Sequence, residues 1–162
     1  PESVMAELNQ HFQMEQHGHH YFTMWYGVYE RSTRTLRYAN AGAPPAFAFD
    51  PETGAGSMSG RHTTATELAS NALPVGAFQK TRFTTDSFTV PTGCRILIFS
   101  DGASEQTRAD GSQLSLRAFR DLVSRLAASV DFTIDTLVDE LRLLTPNGVF
   151  EDDFSLIYLT FK

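Results

Sequence analysis

The sequence predicts an α+β domain whose strands are mostly antiparallel. The apolar pattern gives one helix, then several strands, then two helices and a final strand. Most of the strands are separated by short turns, which favours antiparallel pairing. The helices are grouped near the ends of this order instead of alternating with strands as βαβ units. With 162 residues the chain is long enough for one domain with a real core, so we expect a single domain over 1–162.

The first half of the chain is predicted to form one helix followed by strands. Apolar residues at helical spacing predict a helix over 2–14, with Ser3 as a candidate N-cap. Residues 57–72 are small and polar and are predicted to form a loop, which could include a short helix. The other predicted elements are strands at 21–30, 35–41 and 46–50, with turns at 31–34 and 50–56.

The second half is predicted to contain two strands, a loop, two helices and a last strand. Alternation over 81–90 indicates a strand exposed on one face, and the apolar run 94–100 indicates a buried strand. Residues 101–115 are polar with two Asp-Gly pairs, which predicts a long loop. The remaining predicted elements are a helix capped by Ser115, a helix capped by Thr133 that ends at 145–148, and a strand at 154–161.

Charge and composition argue against several classes of function. The net charge of −6 argues against a nucleic-acid binder, which needs a basic face for phosphates, and against binding to anionic membrane surfaces. The single cysteine, Cys94, excludes a disulfide within the chain and favours a reducing, cytoplasmic location. No apolar run approaches the roughly 20 residues of a membrane span. The first residues have neither the basic end nor the apolar block of a signal peptide.

Two places put acidic residues at the edge of a buried strand. Asp101 follows "CRILIFS", whereas Asp152 and Asp153 precede "FSLIYLTF". If these strands are antiparallel neighbours, Asp101 and Asp152 meet at one edge of the sheet. Two carboxylates so close together repel each other, and the pair is stable only if one pKa is raised or a cation is bound. A site made of oxygen ligands alone favours Mg²⁺ or Mn²⁺ over zinc. Asp-Gly is also a common turn dipeptide, so for either site alone a structural role is the favoured interpretation.

Four segments, in this order, are similar to the later part of the SpoIIE-type branch of the type 2C, metal-dependent protein phosphatases. Each motif is loose, and the order and spacing carry the resemblance, which covers nearly the whole chain. The segments are "FTMWYGVYERSTRTLRYANAGAPPAFAF" (22–49), "LPVGAF" (73–78), "ILIFSDGASEQTRADGS" (96–112) and "EDDFSLIYLTF" (151–161).

The resemblance implies a fold and a set of site residues. The fold would be an αββα sandwich of two mostly antiparallel sheets flanked by helices. Asp101 of the "SDG" motif and Asp152 of the "DD" motif would be metal ligands, in a centre that holds two Mg²⁺ or Mn²⁺ ions when complete. Gly102 would let the chain leave the strand without obstructing the metal site. Asp153 would lie next to the site and would at most contact a metal-ligating residue, without binding the metal itself.

The sequence departs from the family pattern in two ways that bear on function. The family takes further ligands from an early aspartate and an Asp-Gly pair, and neither motif precedes the first helix here. We therefore expect a C-terminal fragment of a longer protein that lacks its N-terminal strands, binds metal poorly and is inactive alone. In addition, Ala43 stands where the family usually carries histidine. The loss of this histidine leaves metal binding possible but makes efficient catalysis less certain.

Two main hypotheses of function follow from the resemblance. The first is a Mg²⁺- or Mn²⁺-dependent serine/threonine phosphatase that acts on a phosphoprotein, namely an anti-sigma-factor antagonist in stress-response signalling. The alternative is a catalytically impaired output domain that acts by binding a partner. In both hypotheses an upstream sensor or receiver domain controls the domain, with no nucleic acid and no membrane insertion. A homodimer is also expected, because a domain without its edge strands exposes backbone that can pair. A plain structural domain is the least favoured interpretation.

Overall fold

The computed structural model describes residues 1–50, 65–129 and 131–162. The chain divides into two compact units, the first formed by 1–46 and 67–90 and the second by 47–66 and 91–162. Most of the turn predicted at 50–56, and the part of the predicted loop from 57 to 64, lie outside the described residues. In chain order the elements are α1 (Glu2–His11), β1 (Met24–Glu30), β2 (Thr35–Ala41), β3 (Ala46–Phe49), β4 (Ala65–Leu68), β5 (Asp86–Thr89), β6 (Arg95–Phe99), α2 (Asp101–Ser104), α3 (Leu116–Ala127), α4 (Ile134–Leu144) and β7 (Leu156–Thr160).

The first unit is built around a three-stranded antiparallel sheet in the order β1-β2-β5. In this sheet Trp25 stacks on Tyr38 with 5.6 Å between ring centroids, and its Nε1 donates a hydrogen bond to the backbone oxygen of Leu68 at 3.0 Å. The Trp25 ring occupies the space above Gly27, where a Cβ would lie 2.7 Å from it. The buried apolar core of this unit consists of Met5, Ala39, Ala41, Val75 and Phe83.

The second unit carries strands of a four-stranded sheet in the order β4-β3-β6-β7, with antiparallel β3–β6 and β6–β7 pairs. One face of its strands packs with α3 and α4 in an aromatic-rich core. Phe99 and Phe119 are at its centre, with 4.7 Å between ring centroids. Other buried members of this core are Phe47, Phe49, Leu97, Val123, Leu137 and Leu141.

Two of the three predicted helix caps are confirmed, whereas Ser3 lies inside α1, whose N-cap is Pro1. The Ser115 hydroxyl accepts a hydrogen bond from the Ala118 N–H, and the Thr133 hydroxyl accepts one from the Thr136 N–H, each at 3.2 Å. These bonds satisfy amide groups that have no partner within a first helical turn. No helix among the described residues is long and apolar enough to cross a membrane.

Several local expectations were wrong. Ser3 does not cap the first helix, and the strand predicted at 81–90 is limited to β5, Asp86–Thr89. The first helix ends at His11 and not at residue 14, where a single 3-10 turn begins (Met14–Gln16). The predicted loop 57–72 contains β4, a strand with buried ends and two exposed polar residues in its middle. The predicted loop after β6 begins with the one-turn helix α2. The strand β4 and the helix α2 have four residues each, too few for apolar periodicity to reveal them.

Candidate metal site

The antiparallel pairing of β6 with β7 brings the predicted site residues to one sheet edge. Phe99, at the end of β6, is the partner of Leu156, at the start of β7. The residues that follow Phe99 therefore meet the residues that precede Leu156. The two strands are thus the antiparallel neighbours that the expected meeting of Asp101 and Asp152 requires, and Asp101-Gly102 lies beside Asp152-Asp153.

Ser100 ties the two segments together at this edge. Its N–H donates to the Ser155 oxygen at 3.1 Å, and its hydroxyl accepts from the Ser155 N–H at 3.0 Å. The same hydroxyl donates to the backbone oxygen of Asp153 at 3.2 Å. Farther along the loop the Thr107 hydroxyl donates to the Glu151 carboxylate at 2.7 Å. The segments after β6 and before β7 are therefore joined by side chains as well as by the strand ladder.

Gly102 lies directly against the backbone of the other segment. A Cβ at this position would stand 2.1 Å from the backbone oxygen of Asp153 and 3.5 Å from the carbonyl carbon of Asp152. The first distance is far below ordinary van der Waals contact, so any side chain would force the segments apart. Gly102 does not have a positive φ, so its backbone conformation does not require glycine. Glycine is needed here because the two backbones approach too closely for a Cβ.

The carboxylates of Asp101 and Asp152 have matching local geometry. Both residues are exposed. In each, Oδ1 accepts a hydrogen bond from the N–H of the next residue, at 2.9 Å from Gly102 and at 2.8 Å from Asp153. Among the described residues, no hydrogen-bond donor reaches Oδ2 of either carboxylate. Each aspartate thus has one oxygen fixed by its own turn and a second oxygen available to a ligand.

The donor set fits part of a site for a hard divalent cation. Carboxylate oxygens are the ligands that Mg²⁺ and Mn²⁺ prefer. In the described part of the chain, however, no group of three or more Asp, Glu, His or Cys residues is placed to hold a metal ion. Asp101 and Asp152 can therefore contribute to such a site but do not complete it.

Two contributors to this geometry, Ser100 and Glu151, were missed by sequence reasoning. The buried strand was predicted to include Ser100, and Glu151 was given no role of its own. A serine between an apolar strand and an Asp-Gly turn is a recognisable signal, because its short hydroxyl can bond nearby backbone groups. Its partners 53 and 55 residues away could be found only from the structure.

Ala43, the position that departs from the family pattern, lies in a tight turn of the first unit. The Ala43 N–H donates to Asn40 Oδ1 at 2.9 Å, and Asn40 Nδ2 donates to the Ala43 oxygen at 2.8 Å. Asn40 is buried. The backbone at position 43 is therefore held by the asparagine side chain, independently of which side chain position 43 carries.

Two antiparallel sheets flanked by helices define the class as a protein phosphatase 2C-like fold. The structure superposes on the SiaA-PP2C domain of Pseudomonas aeruginosa with a TM-score of 0.75 over 100% of this chain and 61% of that chain, at 16% identity. The family model for stage II sporulation protein E (SpoIIE) matches residues 1–162. The chain belongs to the SpoIIE family.

Two further relatives belong to the same class. The phosphoserine phosphatase RsbP of Bacillus subtilis (strain 168) is 30% identical over 111 residues, which cover 66% of this chain and 25% of RsbP. A crystal structure of RsbX in complex with magnesium matches with a TM-score of 0.64 at 14% identity, over 99% of this chain and 64% of RsbX. The chain thus spans about a quarter of RsbP and less than two thirds of the two structural relatives.

Proposed function

We propose that this chain is the later part of a divalent-metal-dependent serine/threonine protein phosphatase. The observation that carries the proposal is the meeting of Asp101 and Asp152 at one sheet edge, each with one carboxylate oxygen available to a ligand. The family and the similarity to a phosphoserine phosphatase support the same reaction class.

Asp101 and Asp152 are the residues that would hold the metal, Mg²⁺ or Mn²⁺. Bound divalent ions of this kind polarise phosphoryl oxygens and lower the pKa of a water that attacks phosphorus. The remaining ligands would be residues other than these two aspartates, because no group of three metal-binding side chains is found in the described part of the chain. On this proposal the chain alone binds metal weakly and hydrolyses no phosphoester.

The neighbours of the two aspartates have positioning roles in this proposal. Gly102 permits the close approach of the two segments, and Ser100 fixes their separation through its bonds to Asp153 and Ser155. The N–H groups of Gly102 and Asp153 each orient one carboxylate by holding its Oδ1. Pre-oriented ligands of this kind hold a metal more tightly than mobile ones.

The substrate we propose is a regulatory protein phosphorylated on serine or threonine, of the anti-sigma-factor antagonist type. This step rests on the family resemblance and on the similarity to RsbP. In that setting an upstream sensor or receiver domain would control phosphatase activity, and the protein would act in signal transduction in the cytoplasm.

The experiment that tests the reaction class uses the full-length protein and a phosphoserine peptide. Phosphate release should require Mn²⁺ or Mg²⁺ and stop on addition of EDTA. Asp101→Asn, which keeps the acceptor for the Gly102 N–H, should reduce the rate at saturating substrate at least about 100-fold. Full activity of this variant would remove Asp101 from the metal site.

A second candidate function is a partner-binding output domain without catalysis. The observation that favours it is Ala43, where the family usually has histidine. Because Asn40 holds the turn from both sides, Ala43→His should fold normally. If the full-length protein is inactive with both metals and Ala43→His does not raise its activity, the binding function is favoured.

A further inference from the structure

The second unit contains a cleft of about 690 Å³ beside the loop that follows α2. Arg108 and Leu114 of this loop, one face of α3, and Leu144 at the end of α4 line it. Its volume is within the range of about 300–1,000 Å³ that is typical of ligand sites. The cleft is separate from the edge that carries Asp101 and Asp152, since neither aspartate lines it.

The wall supplied by α3 is one regular helix face. Four of its residues recur at i, i+3, i+4 and i+7, which is the spacing of a single helical stripe, and Arg120 and Ser124 also line the cleft. The opposite stripe is buried in the core through Phe119 and Val123. The members of the cleft-facing stripe are Ala118, Asp121, Leu122 and Arg125.

The cleft is positively charged in a chain of net charge −6. Three arginines line it against a single carboxylate, Asp121. Arg125 lies 3.6 Å from Glu140, whose side chain is 39% exposed, and Arg120 lies 3.5 Å from Asp121, whose side chain is 62% exposed. Exposed pairs of this kind contribute only about 0–1 kcal/mol, so a carboxylate from a ligand can replace them.

The backbone at Arg108 is held in place before any ligand arrives. Its N–H donates to the Ser112 oxygen at 2.8 Å, and the next N–H, of Ala109, donates to the Leu144 oxygen at 3.0 Å. Its Nε is buried and has no hydrogen-bond partner among the described residues. The nearby Asp110 has its pKa lowered by hydrogen bonds from Ser112 and, more weakly, by the charge of Arg108. A buried donor without a partner is costly, and an incoming acceptor would remove that cost.

We propose that this cleft docks an acidic, partly apolar segment of the phosphoprotein substrate. Arginine guanidinium groups bind carboxylates in a bidentate manner, while Leu114, Leu122 and Leu144 offer apolar contact that a free inorganic anion could not use. The loop that carries Arg108 continues directly from α2, whose first residue is Asp101. The identity of the partner as the substrate rests on the proposed function, whereas the cleft and its charge do not.

The test measures binding of a fluorescein-labelled peptide of alternating glutamate and leucine to the full-length protein by fluorescence anisotropy. Arg125→Glu should weaken binding by about tenfold, and Arg108→Gln by at least about fivefold. The matched control is Arg117→Glu, which changes the charge of the same helix equally. Arg117 is 85% exposed and does not line the cleft, so the control should change affinity less than about twofold.

Three results would overturn the inference. They are equal weakening by Arg117→Glu and Arg125→Glu, equal binding of a glutamine–leucine peptide, and absence of binding to the unaltered protein. Hydrolysis of p-nitrophenyl phosphate separates this inference from the proposed function. If hydrolysis is intact but peptide binding does not depend on Arg125, only the docking site is contradicted. If binding depends on Arg125 but no hydrolysis occurs, only the phosphatase function is contradicted.

In the full-length enzyme, Arg125→Glu should also raise KM for a phosphoserine peptide with acidic flanking residues. KM for the same peptide with glutamine in place of the acidic flanking residues should not change. The kcat for both peptides should also not change. An unchanged KM for the acidic peptide would contradict the assignment of the cleft to substrate docking.

Discussion

Gly102 lies so close to Asp153 that a Cβ at position 102 would stand 2.1 Å from the Asp153 backbone oxygen. Asp101 and Asp152, the residues before each of them, belong to segments that are pressed together at this point. This backbone contact, together with the bonds of Ser100, therefore constrains how the segments that carry the two aspartates lie against each other.

The first prediction concerns Gly102→Ala. The added methyl group must push the two segments apart, and we expect a loss of about 1–3 kcal/mol in the free energy of unfolding, as for other overpacked sites. Urea denaturation measures it. Gly111→Ala is the control, since a Cβ there meets nothing within 4 Å although its φ of +81° is left-handed, which costs about 1 kcal/mol. A Gly102→Ala variant no less stable than Gly111→Ala would show that the contact can relax.

The second prediction concerns Asp152→Asn in the full-length protein. Asparagine keeps an oxygen for the Asp153 N–H but removes the charge that would bind a cation. We expect the affinity for Mn²⁺, measured by isothermal titration calorimetry, to fall at least about 100-fold, because loss of a direct ligand should exceed the 10–100-fold effect of its supporting groups. Asp139→Asn, an exposed position on α4, should leave affinity unchanged. Equal affinities would exclude Asp152 as a ligand.

The third prediction concerns the positioning role of Ser100. Ser100→Ala removes one donated and one accepted hydrogen bond, at a cost of about 1–2 kcal/mol. If Ser100 also positions the aspartates, Mn²⁺ affinity should fall about tenfold. Ser129→Ala removes a single exposed bond and should change neither quantity appreciably. A variant with reduced stability but unchanged Mn²⁺ affinity would restrict Ser100 to a structural role.

The sequence predicted most of the sheet and helix pattern because the decisive signals were local. Apolar periodicity located α3 and α4, and the caps Ser115 and Thr133 marked their first residues. The same patterns missed β4, whose exposed centre is polar and whose burial depends on neighbours distant in the chain.

The candidate site was predictable only in outline. An Asp-Gly after one buried strand and an Asp-Asp before another suggested a meeting point, and the β6–β7 register supplied it. The bonds of Ser100 and the contact of Gly102 join residues more than 50 positions apart. Such geometry depends on which strands pair and in which register, and no local pattern specifies both.

The fourth prediction concerns Tyr38 and alkaline pH. Burial raises the pKa of Tyr38, and the negative charge of Asp86, its partner across β2 and β5, raises it further. Because the folded state favours the neutral phenol, this contribution to stability is complete below the unfolded pKa of about 10 and is lost as pH rises through the higher folded value. Tyr38→Phe should therefore show a smaller fall in melting temperature between pH 9 and pH 11, roughly the range around that pKa. Tyr21→Phe, at an exposed site, should retain the full fall.

The last prediction concerns Asn9, a buried polar residue on α1 that holds the 76–79 segment. Its Oδ1 accepts from the Gly76 N–H at 2.7 Å, and its Nδ2 donates to the Phe78 oxygen at 3.1 Å. Asn9→Ala leaves a buried N–H without its partner, which costs about 1–3 kcal/mol beyond the bonds themselves. We expect a loss of about 3 kcal/mol in urea denaturation.

Asn9→Asp separates the two halves of this interaction, because it keeps the acceptor for Gly76 and removes the donor to Phe78. The Gly76 amide should then stay protected from hydrogen exchange in Asn9→Asp and lose protection in Asn9→Ala. Gln10→Ala, exposed on the same helix, should change stability by less than about 0.5 kcal/mol. Equal protection of Gly76 in all three variants would mean that the segment is held by other contacts, such as the bond from the Met14 N–H to the Gly76 oxygen.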